Sequence, residues 1–351
     1  MKKYLYELMT DQRKDWLAQI FKIVLLVLSF LYWAGIKIIL WMYRQKILKT
    51  KRLPKPVISV GNITIGGVGK TPLVRLIATM FQYHSLKPVI LTRGYMAKGT
   101  GSDEAEMLRS QLKDVPILVG ANRYQVAQDF LRANRADIFI LDDGFQHWSL
   151  LRNFNIVAID STRPFGNLFL IPRGILREPM DSLKRADIFI LTKTDLGKEN
   201  IKKICQKIKQ FQPAAVIVET VHNPVALINI NNSGDRRDTS AISGHLACLF
   251  SGIGDPRSFE GSVESLRVDI KKHFIFMDHH CYSKDDIERI VHYCRVHNIK
   301  TLITTQKDAA RLPGLLHLFS RELNVFILEI EMKILKGEQD LEKRIFYFLD
   351  R

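Results

Sequence analysis

The chain has 351 residues, 46% of them hydrophobic and 25% charged, the composition of a globular protein with room for two domains or one large one. Its formal charge of +16 is unevenly placed: the first 56 residues hold 12 Lys/Arg against 3 Asp/Glu, next to the most apolar stretch of the chain. That pairing argues for an anionic membrane surface and against nucleic acid as the partner. Four cysteines (Cys205, Cys248, Cys281 and Cys294) form no CxxC pair, so neither a disulfide framework nor a zinc site is expected, and a reducing cytoplasm fits.

The first element is the uninterrupted apolar run 23–36, IVLLVLSFLYWAGI, closed by Lys22 and Lys37. Fourteen helical residues reach roughly 21 Å, short of a hydrocarbon core of about 30 Å. The apolar character resumes at IILWMY (38–43), so a span with snorkelling lysines stays open. Tyr32, Trp33, Trp41 and Tyr43 suit a membrane interface, and the basic run RQKILKTKRLPK follows. No small-residue cleavage site follows, which argues against a removed signal peptide. The expected element is a membrane anchor that spans or lies on the bilayer; a buried core helix is the alternative.

Beyond Pro54 and Pro56, short apolar runs alternate with helical segments: PVISVGN (56–62), PVILT (88–92), PILVG (116–120), ADIFILDD (136–143), NIVAID (155–160), ADIFILTK (186–193) and AAVIVET (214–220). Near-continuous apolar strands separated by helices predict an α/β fold with a mostly parallel sheet covered on both faces. The polar stretch NNSGDRRDTSAISG (231–244) predicts a surface loop. A second alternation follows it. The expected organisation is an anchor at 1–55, a nucleotide-binding domain at 56–221 and a smaller α/β domain at 222–351.

NITIGGVGKTPLV (62–74) lies between a strand and a helix, the context of a phosphate loop. Such a loop aims backbone N–H groups at phosphate oxygens from a helix N-terminus. Gly66, Gly67 and Gly69, with Val68 between them, would supply the curl. Lys70 would reach the β- and γ-phosphates and Thr71 would ligate Mg²⁺. Thr64 stands where the usual pattern has its first glycine. IFILDDGFQH (138–147) ends an apolar strand in acid, as a Walker B segment does, and offers Asp142 and Asp143 as further metal ligands. TKTD (192–195) resembles the guanine-recognition tetrad of GTPases, but no DxxG switch lies between the loop and it. Two other readings therefore stand beside a kinase: a membrane-associated GTPase or ATPase switch, and a non-catalytic adaptor with a vestigial nucleotide site.

Taken together, GNITIGGVGKTP, TRGY, DEAEML, ANRY, LDDGFQH, PRGILREP, SGIGDPRSF, DHHCYS and TTQKDAAR, in this order from residue 61 to 311, resemble the tetraacyldisaccharide 4'-kinases of lipid A biosynthesis. The resemblance extends to Thr64 and to the basic, apolar N-terminal helix. It implies a P-loop NTPase-type sheet with a second, smaller domain. The implied reaction is ATP- and Mg²⁺-dependent phosphorylation of the 4'-hydroxyl of tetraacyldisaccharide 1-phosphate, giving lipid IVA. It further implies a lipid-linked disaccharide substrate, no obligate protein partner, and a place at the cytoplasmic face of the inner membrane. By the same resemblance Asp103 is the base, followed by Glu104, with His279 assisting it. Asp142 and Asp143 are the acidic pair, Gln146 and His147 the residues behind them, and Arg123 and Arg177 line the substrate and phosphate region. Arg93 and Tyr95, just after a strand, are expected near substrate. Lys307 and Asp308 are expected as a helix-cap ion pair, and His280 as structural. Two departures are visible: a short connector, MAKGTGS, between Tyr95 and Asp103, and GIGDP where Gly-Ile-Gly-Asn-Pro is commoner.

Overall fold

The computed structural model describes residues 2–94, 103–319 and 323–349. In chain order the helices are α1 (Lys2–Met9), α2 (Trp16–Arg44), α3 (Lys70–Tyr83), α4 (Asp103–Gln111), α5 (Arg123–Leu131), α6 (Lys198–Phe211), α7 (Pro256–Glu264), α8 (Lys284–Val296), α9 (Gln306–Ala309) and α10 (Glu338–Leu349). The strands are β1 (Val57–Gly61), β2 (Pro88–Thr92), β3 (Ile117–Val119), β4 (Ile138–Asp142), β5 (Phe154–Asp160), β6 (Ile188–Thr192), β7 (Val216–Asn229), β8 (Asn232–Arg237), β9 (Leu246–Ser251), β10 (Asp269–Ile275), β11 (Thr301–Thr305) and β12 (Asn324–Lys336). They fall into two compact units. The first holds 1–93, 115–221 and 334–351; the second holds 94–114 and 222–333.

The first unit carries the strands β7-β6-β5-β1-β4-β2-β3, every pair parallel. All five residues of β1, β2, β4 and β6 are buried, the signature of a sheet covered on both faces. One face packs Val57, Val89, Leu91, Phe139 and Leu141 together. The same face continues across β5 and β6, where Val157, paired with Gly61, joins Ile159, Phe189 and Leu191 against Ile204 and Ile208 of α6. The order reverses around β1, where the chain leaves toward α3, so the carboxyl ends of β1 and β4 flank a topological switch point.

The second unit orders β10-β9-β11-β12, again parallel. The segment expected as a loop at 231–244 contains β8, paired antiparallel to β7 through Leu227–Arg237 and Ile228–Arg236. Its polar side chains hid the strand: the turn is closed locally by Asn231 N–H donating to Asn229 Oδ1 at 3.0 Å, and no apolar alternation announces it.

Two segments lie apart from the spans read from sequence. Residues 94–114 join the second unit because α4 packs on α9, with Gln111 Nε2 donating to Gln306 Oε1 at 2.7 Å and Lys307 reaching Glu104 at 3.3 Å. Residues 334–351 join the first because α10 packs there. Its Phe346 ring lies edge-on to Phe81 at 6.2 Å, and Phe348 meets Phe154 at 5.2 Å.

The helix α2 has 29 residues and a mean hydropathy of 2.4 over its most apolar window, long enough at roughly 43 Å to cross a bilayer. It starts where the Asp15 side chain accepts from Ala18 N–H. Neither flanking lysine ends it. Lys22 pairs with Asp11 at 2.8 Å, and Lys37 pairs with Asp181 at 2.8 Å. The less exposed positions recur every third or fourth residue, from Ala18 through Lys22, Ser29, Tyr32 and Leu40 to Tyr43, so one face lies along the protein for the helix's whole length. Ser29 Oγ donates to the Leu170 carbonyl and Tyr32 Oη to the Arg177 carbonyl, each at 2.9 Å. The opposite face leaves Ile23, Val27, Phe30, Leu31 and Ile38 exposed.

Candidate functional site

The site grows from the two central strands of the first unit. β1 ends at Gly61, and β4 ends at Asp142 beside it. A Cβ on Gly61 would lie 2.6 Å from Phe145 Cβ and 2.7 Å from its N, so the acidic turn after β4 can sit this close only to glycine. Beyond Gly61, Asn62 Nδ2 donates to the Thr64 carbonyl at 2.6 Å, and Thr64 forms a β-bridge with Leu176. The loop's positive φ angles fall on Gly66 (122°) and Gly69 (82°). Thr64, held by that bridge, needs no glycine freedom, which explains why the usual first glycine is dispensable. Gly69 then caps α3, whose first residues are Lys70 and Thr71.

Charge converges on Asp143. Its backbone takes φ 48°, a left-handed conformation uncommon for a non-glycine residue and frequent at functional sites. Arg177 grips its carboxylate with both terminal nitrogens, Nη1 to Oδ1 at 2.7 Å and Nη2 to Oδ2 at 3.0 Å. Lys70 Nζ lies 3.3 Å from Oδ1. Burial acts to raise the Asp143 carboxyl, but Lys70 and Arg177 outweigh it and hold the group down at about 2. Asn62 Oδ1 accepts from both cations, at 3.2 Å from Lys70 and 3.3 Å from Arg177. Gln146 accepts from Arg177 at 3.2 Å and donates to the Asn62 carbonyl at 2.9 Å. Lys70, Asp143, Gln146 and Arg177, four of the residues singled out from sequence, therefore form one hydrogen-bonded cluster at the N-terminus of α3.

A second layer flanks it. Asp142 is buried and takes a long contact from the Thr92 hydroxyl at 3.4 Å. Arg123, also buried, lies 3.0 Å from His147 Nδ1 and points its other nitrogen at the Asp142 carbonyl. Burial, then Arg123, Arg152 and Arg93, hold His147 down at about 4, so it is a neutral imidazole at pH 7. Arg93 is exposed just after β2. Thr71, Asp142 and Asp143 offer a hydroxyl and carboxylates, hard oxygen donors that suit Mg²⁺, an ion that takes its remaining ligands from water and phosphate. Among the described residues no three His, Cys, Asp or Glu side chains gather into a metal cage.

The remaining expected residues belong to the second unit. Tyr95 and the connector 96–102 lie outside the described residues, as does the Asp103 side chain, although Asp103 begins α4. Glu104 is held by Lys307, so the expected pair between Lys307 and Asp308 does not form. Asp308 instead is fully buried, accepting from Gly252 N–H at 2.9 Å, the Tyr282 hydroxyl at 2.9 Å and the Thr305 hydroxyl at 2.6 Å. Arg311 extends from it at 3.4 Å and meets His279 Nδ1 at 3.3 Å. His279 takes φ 60° and presents a third of its side chain to solvent. α9 thus stands between the helix begun by Asp103 and the turn that bears His279. His280 is structural, 2.9 Å from Asp286 and stacked on Phe276.

Sequence reasoning passed over Asn62 and Glu178. Asn62 ends the apolar run PVISVGN, and a polar residue at that point was the available signal. Glu178, next to Arg177, is buried against Arg185 at 2.7 Å. Burial pushes its carboxyl up, against the pull of Arg185.

Residues 21–349 match the model of a family described as tetraacyldisaccharide-1-P 4'-kinase. Similar curated proteins include a tetraacyldisaccharide 4'-kinase of Halothermothrix orenii, 34% identical over 357 residues and 92% of each chain. Another, of Syntrophus aciditrophicus, is 34% identical over 339 residues and 90% of each. Among solved structures, LpxK from Aquifex aeolicus in complex with ATP is similar at a TM-score of 0.70 and 27% identity, over 94% of this chain and 99% of that one. The chain belongs to the tetraacyldisaccharide 4'-kinase family.

Proposed function

We propose that the protein transfers the γ-phosphoryl group of ATP to the 4'-hydroxyl of tetraacyldisaccharide 1-phosphate, at a membrane surface, to give lipid IVA. The observation that carries this reading is the cluster of Lys70, Arg177, Asn62, Gln146 and Asp143 at the start of α3. Phosphoryl transfer asks for held phosphates, neutralised charge and a proton acceptor beside the attacking hydroxyl. Lys70 and the loop amides of Gly66–Thr71 hold the phosphates. Arg177 and Arg123 bring positive charge to the oxygens being transferred. The Thr71 hydroxyl and the Asp142 or Asp143 carboxylate would hold Mg²⁺, which would supply further neutralisation. A triphosphate competes with Asp143 for Lys70 and Arg177, so both cations pass from carboxylate to phosphate as the nucleotide arrives. Asp103 takes the hydroxyl proton, and His279, oriented through Nδ1 by Arg311, assists it. Arg93 and Tyr95 contact the sugar.

The membrane reading rests on α2. Its less exposed face, from Ala18 to Tyr43, lies against the protein, while its other face is apolar and exposed. The helix therefore lies in the membrane interface, with Leu168 and Phe169 of the loop beneath Ser29 exposed as well. We place the protein on the cytoplasmic face of the inner membrane, where ATP is available.

Purified protein incubated with ATP, Mg²⁺ and radiolabelled disaccharide 1-phosphate in detergent micelles is expected to form a bis-phosphorylated lipid. Labelling of a free sugar or a protein instead would overturn the reading. Asp103→Ala is expected to lower kcat by at least about 10²-fold. Normal turnover in that variant would leave Asp103 a helix-start residue.

A further inference from the structure

The tetrad TKTD, left unexplained by the reaction, closes on the back of the phosphate loop. Lys193 follows β6 with φ 55° and is 1% exposed. Its ammonium donates to the Gly67 carbonyl at 3.0 Å and pairs with Asp160 at the end of β5. The other Asp160 oxygen is fixed by the Thr162 N–H at 2.9 Å and the Thr162 hydroxyl at 2.6 Å. Beside it, Thr192 Oγ1 donates to the Val68 carbonyl at 3.0 Å, nearer than the Ile159 carbonyl at 3.4 Å. Two successive carbonyls of the glycine loop are thus held from behind, by two successive residues.

We infer that Thr192 and Lys193 are positioning residues for the nucleotide phosphates: they fix the direction in which the loop's N–H groups point, whichever base the nucleotide carries. A planar trans peptide points its C=O and the next N–H in opposite directions. Holding the Val68 carbonyl toward β6 turns the Gly69 N–H outward, to the side on which α3 begins. Holding the Gly67 carbonyl turns the Val68 N–H away from Lys193, where it closes a tight turn on the Gly66 carbonyl at 3.1 Å. A loop with glycine at three of four positions otherwise samples many orientations, and ordering it costs conformational entropy at the moment of binding. The two donors remove part of that cost beforehand. A guanine-reading lysine would offer its stem to a base, but at 1% exposure Lys193 has no open face. The left-handed backbone at Lys193 fits the same role. That conformation is unfavourable for lysine and persists where its surroundings over-determine it.

The inference rests on the phosphate-loop reading of Gly66–Thr71, and one experiment separates the two. ATP and GTP dissociation constants are measured on the full chain in detergent with Mg²⁺, together with KM for ATP and for the lipid acceptor and the melting midpoint. Thr192→Val keeps the shape and removes the donor. It is expected to weaken ATP and GTP equally, by about 3- to 10-fold, with the lipid KM unchanged. Lys193→Met combined with Asp160→Asn removes the donor without stranding a buried acid, and is expected to weaken both nucleotides by about 10-fold or more. Loss confined to one base would make the tetrad a base reader and overturn the inference. So would unchanged nucleotide affinity with only a lower melting midpoint. Lys70→Ala is the control. If it weakens ATP while the Thr192 and Lys193 variants do not, this inference alone fails; if ATP affinity ignores Lys70 as well, the phosphate-loop reading fails with it.

Discussion

At His147, three arginines and burial keep a side chain neutral well below its usual range, and pH should expose this. The unfolded chain binds a proton there as pH falls through about 6.5, whereas the folded one waits until about 4. The unfolded state then holds more protons, so stability is lost progressively between those values. Asp143 behaves as a depressed carboxyl: its contribution is present above about 3.8 and is lost as pH falls toward about 2. Glu178, pushed up by burial, works in the opposite sense, so the comparison must be between variants. The melting midpoint of His147→Gln is expected to fall less than that of the parent between pH 7 and pH 5, measured by circular dichroism. An identical fall would remove His147 from the account. Lys70, Asp142 and Asp143 were singled out by residue type and spacing alone, in the glycine loop and at the acidic end of an apolar strand, whereas His147 entered through the family resemblance. The grip of Arg177 on Asp143, across 34 positions, was not legible in the sequence, and neither was Asn62 as the shared acceptor. Such pairings depend on where the sheet delivers each strand end.

The elements show the same division. Every central strand of the first unit was readable, because a parallel strand buried on both faces must be apolar throughout, as IFILD and IFILT are. β8 was invisible for the converse reason: NSGDRR pairs through its backbone and keeps its polar composition. α2 lay between these cases. Its apolar core was plain, but Lys22 and Lys37 looked like ends, and only their acidic partners at Asp11 and Asp181 explain how the helix continues through both. Its two faces now make separable claims. Val27→Lys with Phe30→Lys charges the exposed face and is expected to reduce sedimentation with anionic vesicles severalfold, leaving ATP affinity and melting unchanged. Undiminished sedimentation would mean that the face does not meet lipid.

Across the whole molecule, the chain passes between its two units more than once. β7 leaves the first unit, β12 returns to it, and α10 completes it with Leu341 and Ile345 fully buried. Deleting residues 334–351 should destabilise the first unit by about 3–6 kcal/mol, from two fully buried aliphatic side chains at about 1.5–3 kcal/mol each. A melting midpoint equal to that of the full chain would show that α10 contributes nothing. The nucleotide-binding span read from sequence stopped at residue 221 because nothing in the composition of 334–351 says which unit it joins; Phe346 and Phe348 find Phe81 and Phe154 only once the fold exists. This arrangement sets an order of events during synthesis. α2 leaves the ribosome more than 290 residues ahead of α10 and can settle on lipid while the nucleotide-binding unit still lacks its closing helix. If α2 meets lipid as proposed, the chain would reach a membrane before its nucleotide-binding unit had a finished core, and ribosomes still making it would be tethered to the bilayer by the nascent chain.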